Sequence, residues 1–373
     1  MTKYLLQTLL VSASALIACG AAFNDDQAKA ENLSAWEAKI DRLAMKELKR
    51  TGIPSLQLAI GHKGEVVFEK AYGFADIEEK SPATPQTQYR TASISKWFSG
   101  TAAMSLVDDK LIDVSAPIQD YCPAYPKKKW EITTTHLLSH TSGIRHYKEG
   151  EAETPSTEHF TDVIGPLDSF KDDDLIFEPG MGWSYSSHGY RVLGCVISGA
   201  SGKTYNDYIR QAVFTPAGMA ATAQDDATAP STNLATGYEL VKRKKLKPAP
   251  TRDVSENLPA GGHISTASDL VRFSQSFDQG KLVSKDSIGV MSSLPKAKTG
   301  VTLEVGYGHG VDFMGAFPGS IGHGGRQEGT TTLLVLLPEQ DISVAVMTNA
   351  RGWGRSNKFT QSILDAYETG QDK

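Results

Sequence analysis

Strand-like segments stand at the two ends of this chain, with a long helical and irregular stretch between them. Near the start, Ser55–Gly61 and Glu65–Tyr72 flank His62-Lys63-Gly64, a pattern that predicts a hairpin. Near the end, Val301–Val311, Thr330–Leu337 and Ile342–Met347 read as strands, the last two joined by the turn Pro338-Glu339-Gln340-Asp341. Between Asp113 and about Pro248 lie helical pieces, Thr133–Leu138, Leu193–Ile197 and Tyr205–Phe214, broken by Gly, Pro and Thr. Alternation of strand and helix, the mark of a parallel sheet, is missing. The pattern therefore predicts an α+β fold, with an antiparallel sheet assembled from both chain ends, flanked by helices and carrying a mostly helical insertion. The expected boundaries are a domain over 34–370, its sheet part at 34–85 and 260–370, and the insertion at about 86–259. Three helices bracket the sheet segments. Ser34-Ala35-Trp36-Glu37 forms a capping box before Ile40, Leu43 and Leu48; Thr266 and its neighbours cap Leu270, Phe273 and Phe277; Ser356 caps Phe359, Ile363 and Tyr367.

The first residues belong to a different physical class. Lys3 precedes an apolar run from Tyr4 to Ala18, too short and too early for a membrane span, so residues 1–18 read as a signal peptide. The run ends in Leu16-Ile17-Ala18-Cys19-Gly20, which resembles the lipobox of bacterial lipoproteins. That resemblance implies cleavage before Cys19, lipidation of its thiol and a periplasmic protein anchored to a membrane. Ordinary cleavage at Gly20-Ala21-Ala22 or Ala28-Lys29-Ala30, with release, is the alternative. Residues 19–33 then serve as a polar tether. Of the other cysteines, Cys122 falls in a loop and Cys195 in an apolar helical stretch. A bridge between them is open to an exported protein, but the expectation is of unbridged thiols, with Cys195 a small core residue. A net charge of -5 with no long basic stripe gives no nucleic-acid footprint. The run Lys242-Arg243-Lys244-Lys245-Leu246-Lys247 reads as a solvated hairpin tip.

Chemistry concentrates at Ser93-Ile94-Ser95-Lys96, where an extended segment turns into a helix. A residue three positions on shares a helix face, so Lys96 can reach Ser93. A serine hydroxyl is a weak nucleophile until a base takes its proton. A lysine can be that base when burial, another cation or a helix N-terminus disfavours its ammonium. The same spacing recurs as Ser293-Leu294-Pro295-Lys296, where the proline argues against a helix. No Gly-x-Ser-x-Gly elbow and no His-Glu-x-x-His metal spacing occurs, and no cofactor is implied. Ser139-His140, adjacent in sequence, point apart and read as structural. Ala200-Ser201-Gly202-Lys203-Thr204 reads as a helix end and turn.

Two further stretches are Pro179-Gly180-Met181-Gly182-Trp183-Ser184-Tyr185-Ser186-Ser187-His188-Gly189-Tyr190 and Gly322-His323-Gly324-Gly325-Arg326-Gln327-Glu328-Gly329. With Leu137-Leu138-Ser139-His140-Thr141-Ser142-Gly143 and Pro259-Ala260-Gly261-Gly262-His263, they follow Ser93 in a fixed order. From about Ile40 to Ala366 the chain resembles the serine beta-lactamase and penicillin-binding superfamily, nearest its class C-like branch of esterases, D-stereospecific peptidases and mitochondrial beta-lactamase-like proteins. The resemblance implies a beta-lactamase/transpeptidase-like fold and an acyl-serine hydrolase. Ser93 would be the nucleophile, Lys96 its proton partner and Tyr185 a proton shuttle, with Tyr190 as a competitor. A close ammonium would have to favour the Tyr185 phenolate. His323-Gly324-Gly325 would be the third motif, in preference to the literal Lys298-Thr299-Gly300. The N–H groups of Ser93 and Arg326 would form the oxyanion hole, and the two glycines would let a substrate approach the strand. Ser187 stands where many members carry asparagine. That shorter reach points away from efficient beta-lactam turnover and toward peptidase or esterase chemistry on a small peptide, ester or beta-lactam-like substrate. A beta-lactamase, a D-Ala carboxypeptidase or a slow penicillin-binding sensor remain as alternatives. Loops at about 145–175 and 240–258 would border the cleft.

Overall fold

The computed structural model describes residues 34–151, 158–242, 245–304 and 307–371. The leader, Cys19 and the tether lie outside the described residues, as do Arg243 and Lys244 of the basic run. The described chain forms two compact units, one of residues up to 46 with those from 362 on, the other of residues 47–361. In the smaller unit, Ser34 donates its N–H to Glu37 Oε2 at 2.8 Å and Glu37 N–H returns to Ser34 Oγ at 3.4 Å. This capping box starts α1 (Ala35–Thr51). Trp36 there meets Tyr367 edge to face at 5.1 Å.

The larger unit contains the sheet. Strands β1 (Ser55–His62) and β2 (Glu65–Asp76) form the expected hairpin. Its two-residue turn places Lys63 at φ 53° and Gly64 at φ 87°, so a glycine is favoured at the second position. After β3 (Ser81–Pro82) and β4 (Tyr89–Arg90), a 3₁₀ turn over Ala92–Ile94 enters α2 (Ser95–Asp108). The central region carries α3 (Thr134–Leu138), α4 (Ser187–Ser201), α5 (Tyr205–Ile209), short β5 (Ala223–Gln224), the hairpin β6 (Tyr238–Lys242) and β7 (Lys245–Pro248), and α6 (Leu258–Gly261). Then follow β8 (His263–Ser265), α7 (Ala267–Asp278), α8 (Lys285–Met291), β9 (Asp312–Phe313), β10 (Ile321–Gln327), β11 (Thr330–Leu337), β12 (Ile342–Thr348), β13 (Ala350–Arg351) and α9 (Ser356–Gln371). The main sheet runs β3-β2-β1-β12-β11-β10-β9, every pair antiparallel. Strands from both chain ends meet where β1 pairs β12, Gln57 opposite Met347. This is the α+β architecture expected of an antiparallel sheet built from both chain ends. β11 and β12 are buried along their whole length, which explains their continuous apolar runs.

α7, capped by Thr266, packs on the sheet at Gly61, where an added Cβ would lie 2.5 Å from Val271 Cγ1. Aromatic packing then ties α7 to α2: Trp97 meets Phe273 and Phe277 at 5.1 and 5.3 Å, and Phe98 meets Phe273 at 4.7 Å. The base of α2 is therefore a fixed platform. Among the described residues, no helix is long and apolar enough to cross a membrane.

Three expectations need correction. Cys122 and Cys195 are joined by a disulfide, with Cα atoms 5.5 Å apart. Four residues beyond Cys195, on the same face of α4, an added Cβ at Gly199 would lie 1.7 Å from Tyr121 O. The bare glycine lets the Tyr121–Cys122 loop lie against the helix. Among the described residues of the segment 301–311 no strand forms; isolated bridges occur at Thr302 and Tyr307, and the strand is β9. Gly310 takes φ 95° against Gly100, and Gly308 leaves no room for a Cβ beside Met291 O, at 2.2 Å. Finally, α9 begins at Ser356 itself, so Arg355 stands in the cap position.

Candidate active site

The turn that presents Ser93 is held from two sides. Thr91 N–H and Oγ1 both donate to His263 O of β8, at 2.8 and 3.0 Å. From β11, Thr330 Oγ1 donates to Arg90 O and Thr332 Oγ1 to Thr91 O, each at 3.1 Å. Ala92 then adopts φ 47°, a conformation that costs an alanine on the order of 1 kcal/mol and that these surrounding bonds enforce. Ser93 emerges partly exposed, while the residues on either side of it are buried.

Lys96, one turn on, is 1 % exposed. Its Nζ donates to Ser93 Oγ at 3.2 Å and to Ala260 O, on α6, at 2.8 Å. Burial lowers the Lys96 ammonium to about 7; Asp312 opposes this and Arg191 adds to it. The dominant cause is therefore loss of water.

Tyr185 reaches the same hydroxyl, sharing a hydrogen bond with Ser93, and its ring centre lies 5.0 Å from Lys96 Nζ. The loop carrying it hangs on His140. Ser184 N–H donates to His140 O and Ser186 N–H to His140 Nδ1, at 3.0 and 3.1 Å, and the imidazole lies 4.5 Å from the Tyr185 ring. Burial keeps His140 well below the usual histidine range, so it is a neutral acceptor in the scaffold. Burial also pushes Tyr185 well above the usual phenol range. Of the two forms open to it, phenol and phenolate, burial favours the phenol. Tyr190 does not compete, since its hydroxyl donates to Leu138 O at 3.0 Å. Ser186 caps α4 by accepting Gly189 N–H at 2.9 Å, and Ser187, the first helical residue, donates its N–H to His146 Nδ1 at 3.1 Å.

β10 forms the opposite wall. Gly325 lies against the nucleophile turn, where a Cβ would sit 2.3 Å from Thr91 O. Gly324 points to open space, its nearest such contact being Leu333 Cδ1 at 3.9 Å. Of the two glycines, Gly325 is needed by the protein's own packing and Gly324 is free of it. His323 is buried, with Nδ1 2.7 Å from Gly324 O and Nε2 3.6 Å from Asp312 Oδ1. Burial lowers this imidazole to about 3.

A cavity of about 190 Å³ joins these walls, lined by Ser93, Tyr185, Ser187 and Arg326 together with residues of the two expected border loops, among them His146, Tyr147 and Arg252. Glu328 and Arg351 complete its charged lining. Sequence reading missed Asp312, Arg252, Glu328 and Arg351. Glu328 had a signal, standing inside the Gly322–Gly329 stretch, and Arg252 lay in an expected border loop; Asp312 and Arg351 had none. A larger hollow of about 430 Å³ at Arg50, Trp353 and Arg355 holds none of the candidate residues. The literal Lys298-Thr299-Gly300 lies away from Ser93: Lys298 pairs with Glu178 at 2.6 Å and its N–H donates to Gly180 O. In the rival Ser293-Leu294-Pro295-Lys296, Ser293 Oγ donates to Val290 O and Lys296 is exposed. Among the described residues, no group of His, Cys, Asp and Glu could hold a metal ion.

Residues 40–367 match the family model described as Beta-lactamase. The human serine beta-lactamase-like protein LACTB, mitochondrial, is 29% identical over 289 residues, covering 60% of this chain and 53% of that protein. The chain thus spans about half the length of that relative. A putative penicillin-binding protein PbpX of Bacillus subtilis (strain 168) is 30% identical over 319 residues, 85% of this chain and 75% of the relative. Among solved structures, D-amino acid amidase from Ochrobactrum anthropi SV3, complexed with L-phenylalanine amide, superposes with a TM-score of 0.77 at 24% identity, over 91% of this chain and all of that one.

Proposed function

The chain belongs to the beta-lactamase family, and from that premise we propose that it is an exported serine hydrolase that cleaves an amide or ester through a covalent ester on Ser93. The observation that carries this is the contact of Lys96 Nζ with Ser93 Oγ at 3.2 Å, made by an ammonium whose burial brings it to about 7. Near neutrality, Lys96 then exists partly as the free amine and can take the Ser93 proton as Oγ attacks the acyl carbon. The N–H groups of Ser93 and Arg326 receive the developing oxyanion. Tyr185, protonated at rest and bonded to Ser93, relays a proton to the leaving group and later takes one from the attacking water.

The charged lining favours an anionic substrate, three guanidiniums (Arg252, Arg326 and Arg351) facing one carboxylate (Glu328). Arg252 pairs with Glu256 at 2.8 Å and approaches Glu328 at 3.4 Å, and Arg351 approaches Glu328 at 3.6 Å, while among the described residues no ion pair involves Arg326. Ser187 in place of asparagine favours a peptidase or esterase over a beta-lactamase. Export rests on the leader, with the lipobox-like Cys19 as the anchor. The Cys122–Cys195 bridge suits an oxidising compartment.

A fluorophosphonate probe tests the chemistry. Wild type labels on Ser93 and Ser93→Ala does not; absence of wild-type labelling, or equal labelling of both, refutes the covalent mechanism. Nitrocefin, p-nitrophenyl esters and D-amino-acid amides and peptides, each assayed against Ser93→Ala, then identify the acyl group. For the anchor, Cys19→Ser moves the protein from the membrane to the soluble fraction.

A further inference from the structure

The loop from Arg145 to Glu151 borders the catalytic cavity, and its two ends are tied together against a buried anchor. Arg145 Nη1 donates to His146 O at 2.9 Å and pairs with Glu151 Oε2 at 2.7 Å, while its Nε donates to Asp173 Oδ2 at 2.5 Å. Glu151 Oε2 also accepts the Lys148 N–H, at 2.8 Å. The anchor is His188, which follows Ser187 on α4. Arg145 Nη1 lies 3.3 Å from His188 Nδ1, so this nitrogen accepts and Nε2 carries the proton of the neutral ring. Nε2 lies 3.2 Å from Glu151 Oε1, the second oxygen of the same carboxylate. The His188 side chain is 0% exposed and stacks flat on Phe170, ring centres 4.1 Å apart, so it gives the loop a fixed point.

What this loop brings to the cavity is an aromatic ring. His146 and Tyr147 both line the wall. His146 is committed to the scaffold, since its Nδ1 accepts the Ser187 N–H. The half-buried Tyr147 ring meets His188 edge to face at 5.1 Å and lies 4.4 Å from the His146 ring. The Arg191 guanidinium sits over it, 5.5 Å from the ring centre. Arg191 is itself fixed, with its side chain 3% exposed, 3.6 Å from Glu256 and donating to Asn257 Oδ1 at 3.3 Å. These contacts hold the tilt of the Tyr147 ring. Much of the remaining lining is charged, from Arg252, Arg326, Arg351 and Glu328, so Tyr147 offers a flat aromatic surface in a largely polar cavity. Such a surface favours a second ring, stacked with an offset or edge to face.

We propose that Tyr147 is a specificity-determining residue of this site, selecting substrates that carry an aromatic group beside the reacting carbonyl. Glu151 is the positioning residue that holds its ring in place through Arg145 and His188. This rests on Ser93 as the nucleophile.

The test is competition between boronic acids and a fluorophosphonate for Ser93 in the full chain. A boronic acid presents its one organic group beside the reacting centre. The Oγ–B bond forms as the oxygen pair fills the empty boron orbital, the hydroxyl proton passes to Lys96, and both boron hydroxyls stay. The quantity read is the preference for phenylboronic over methylboronic acid, as a ratio of inhibition constants. Tyr147→Ala cuts this preference by about tenfold. Tyr147→Phe, which restores the ring, keeps it within about twofold. Tyr147→Leu shows the same loss should the alanine variant fail to fold. Glu151→Ala cuts the preference by about threefold or more beside Tyr147 and has no further effect in a Tyr147→Ala background, because it acts through the ring. A preference unchanged by both Tyr147→Ala and Tyr147→Leu overturns the proposal. A Glu151→Ala loss that is absent, or equal with and without the ring, overturns the positioning role. Failure of wild type to label on Ser93 refutes the underlying mechanism instead, so the failures are distinct.

Discussion

Gly325→Ala puts the link between packing and chemistry under direct strain. The new methyl would lie 2.3 Å from Thr91 O, 2.3 Å from Thr332 Oγ1 and 3.2 Å from Ala92 Cβ. Ordinary carbon–oxygen contact needs roughly 1 Å more. Thr91 O is backbone and cannot rotate away, and it already accepts from Thr332 Oγ1 at 3.1 Å, so the methyl also wedges into that bond. Overpacking of this kind costs about 1–3 kcal/mol and loss of the hydrogen bond about 1 more. The strand and the nucleophile turn must part, carrying the Arg326 N–H away from Ser93. A displacement near 1 Å costs about 100-fold in rate. Thermal unfolding and fluorophosphonate labelling therefore both report, with Tm lower by about 5 °C and labelling slower by about two orders of magnitude. Gly324→Ala is the internal control. Its Cβ meets only Leu333 Cδ1 at 3.9 Å, so its stability stays within about 0.5 kcal/mol of wild type. A Gly325→Ala variant that unfolds and labels like wild type, or equal destabilisation by the two alanines, refutes this link.

Wild-type labelling of Ser93 rises with pH through about 7, because below that value the buried Lys96 is an ammonium and cannot take a proton; a rate flat from pH 5 to 9 contradicts Lys96 as the base. Tyr185→Phe slows acylation by about 10²–10⁴, whereas Tyr190→Phe, which removes one of two donors to Leu138 O and leaves the Gly310 N–H in place, lowers stability by about 1 kcal/mol and leaves the labelling rate within about threefold; equal rate losses in the two variants would disprove the assignment of the shuttle. Replacing both Cys122 and Cys195 by alanine frees a 73-residue separation in the unfolded chain and costs about 4 kcal/mol in denaturant titration, and a midpoint unchanged by reductant would show that the bridge does not form.

Local signals were legible where one side chain answers to a neighbour close in sequence. The Ser34–Glu37 box, the turn at Lys63-Gly64, the cap at Thr266 and the reach of Lys96 to Ser93 all span a few residues, and period and spacing encode them. The pairing of β1 with β12 was legible for another reason: strong apolar strand character at both ends, with a mostly helical stretch between, leaves a shared sheet as the economical burial of both. The strand expected at 301–311 failed because its apolar residues alternate with glycines whose purpose is close contact. Gly308 and Gly310 make room for Met291 O and Gly100, and that use of glycine outweighs strand propensity.

What stayed hidden depends on distances that the chain creates only by folding. Cys122 and Cys195 lack the spacing of a disulfide framework; the approach that joins them is encoded at Gly199, which reads as an ordinary helix residue until Tyr121 is seen lying on it. Asp312 is hidden in the same way. In sequence it is one acid in a loop-like stretch eleven residues before His323. In the fold, the β9–β10 register sets it opposite Gly322 and turns it into a desolvated carboxyl beneath the motif. The form of Tyr185, phenol or phenolate, stayed open for the complementary reason. Placing a cation nearby was foreseeable, but the complete burial of both partners was not, and burial favours the neutral form of each. Ser93 and Lys96 were thus readable as a pair, while the proton affinity that makes the pair reactive is a property of the walls around it. Lys96 acts on Ser93 through a contact encoded by three residues of spacing, and its readiness to act is set by burial among elements that come together only in the finished fold.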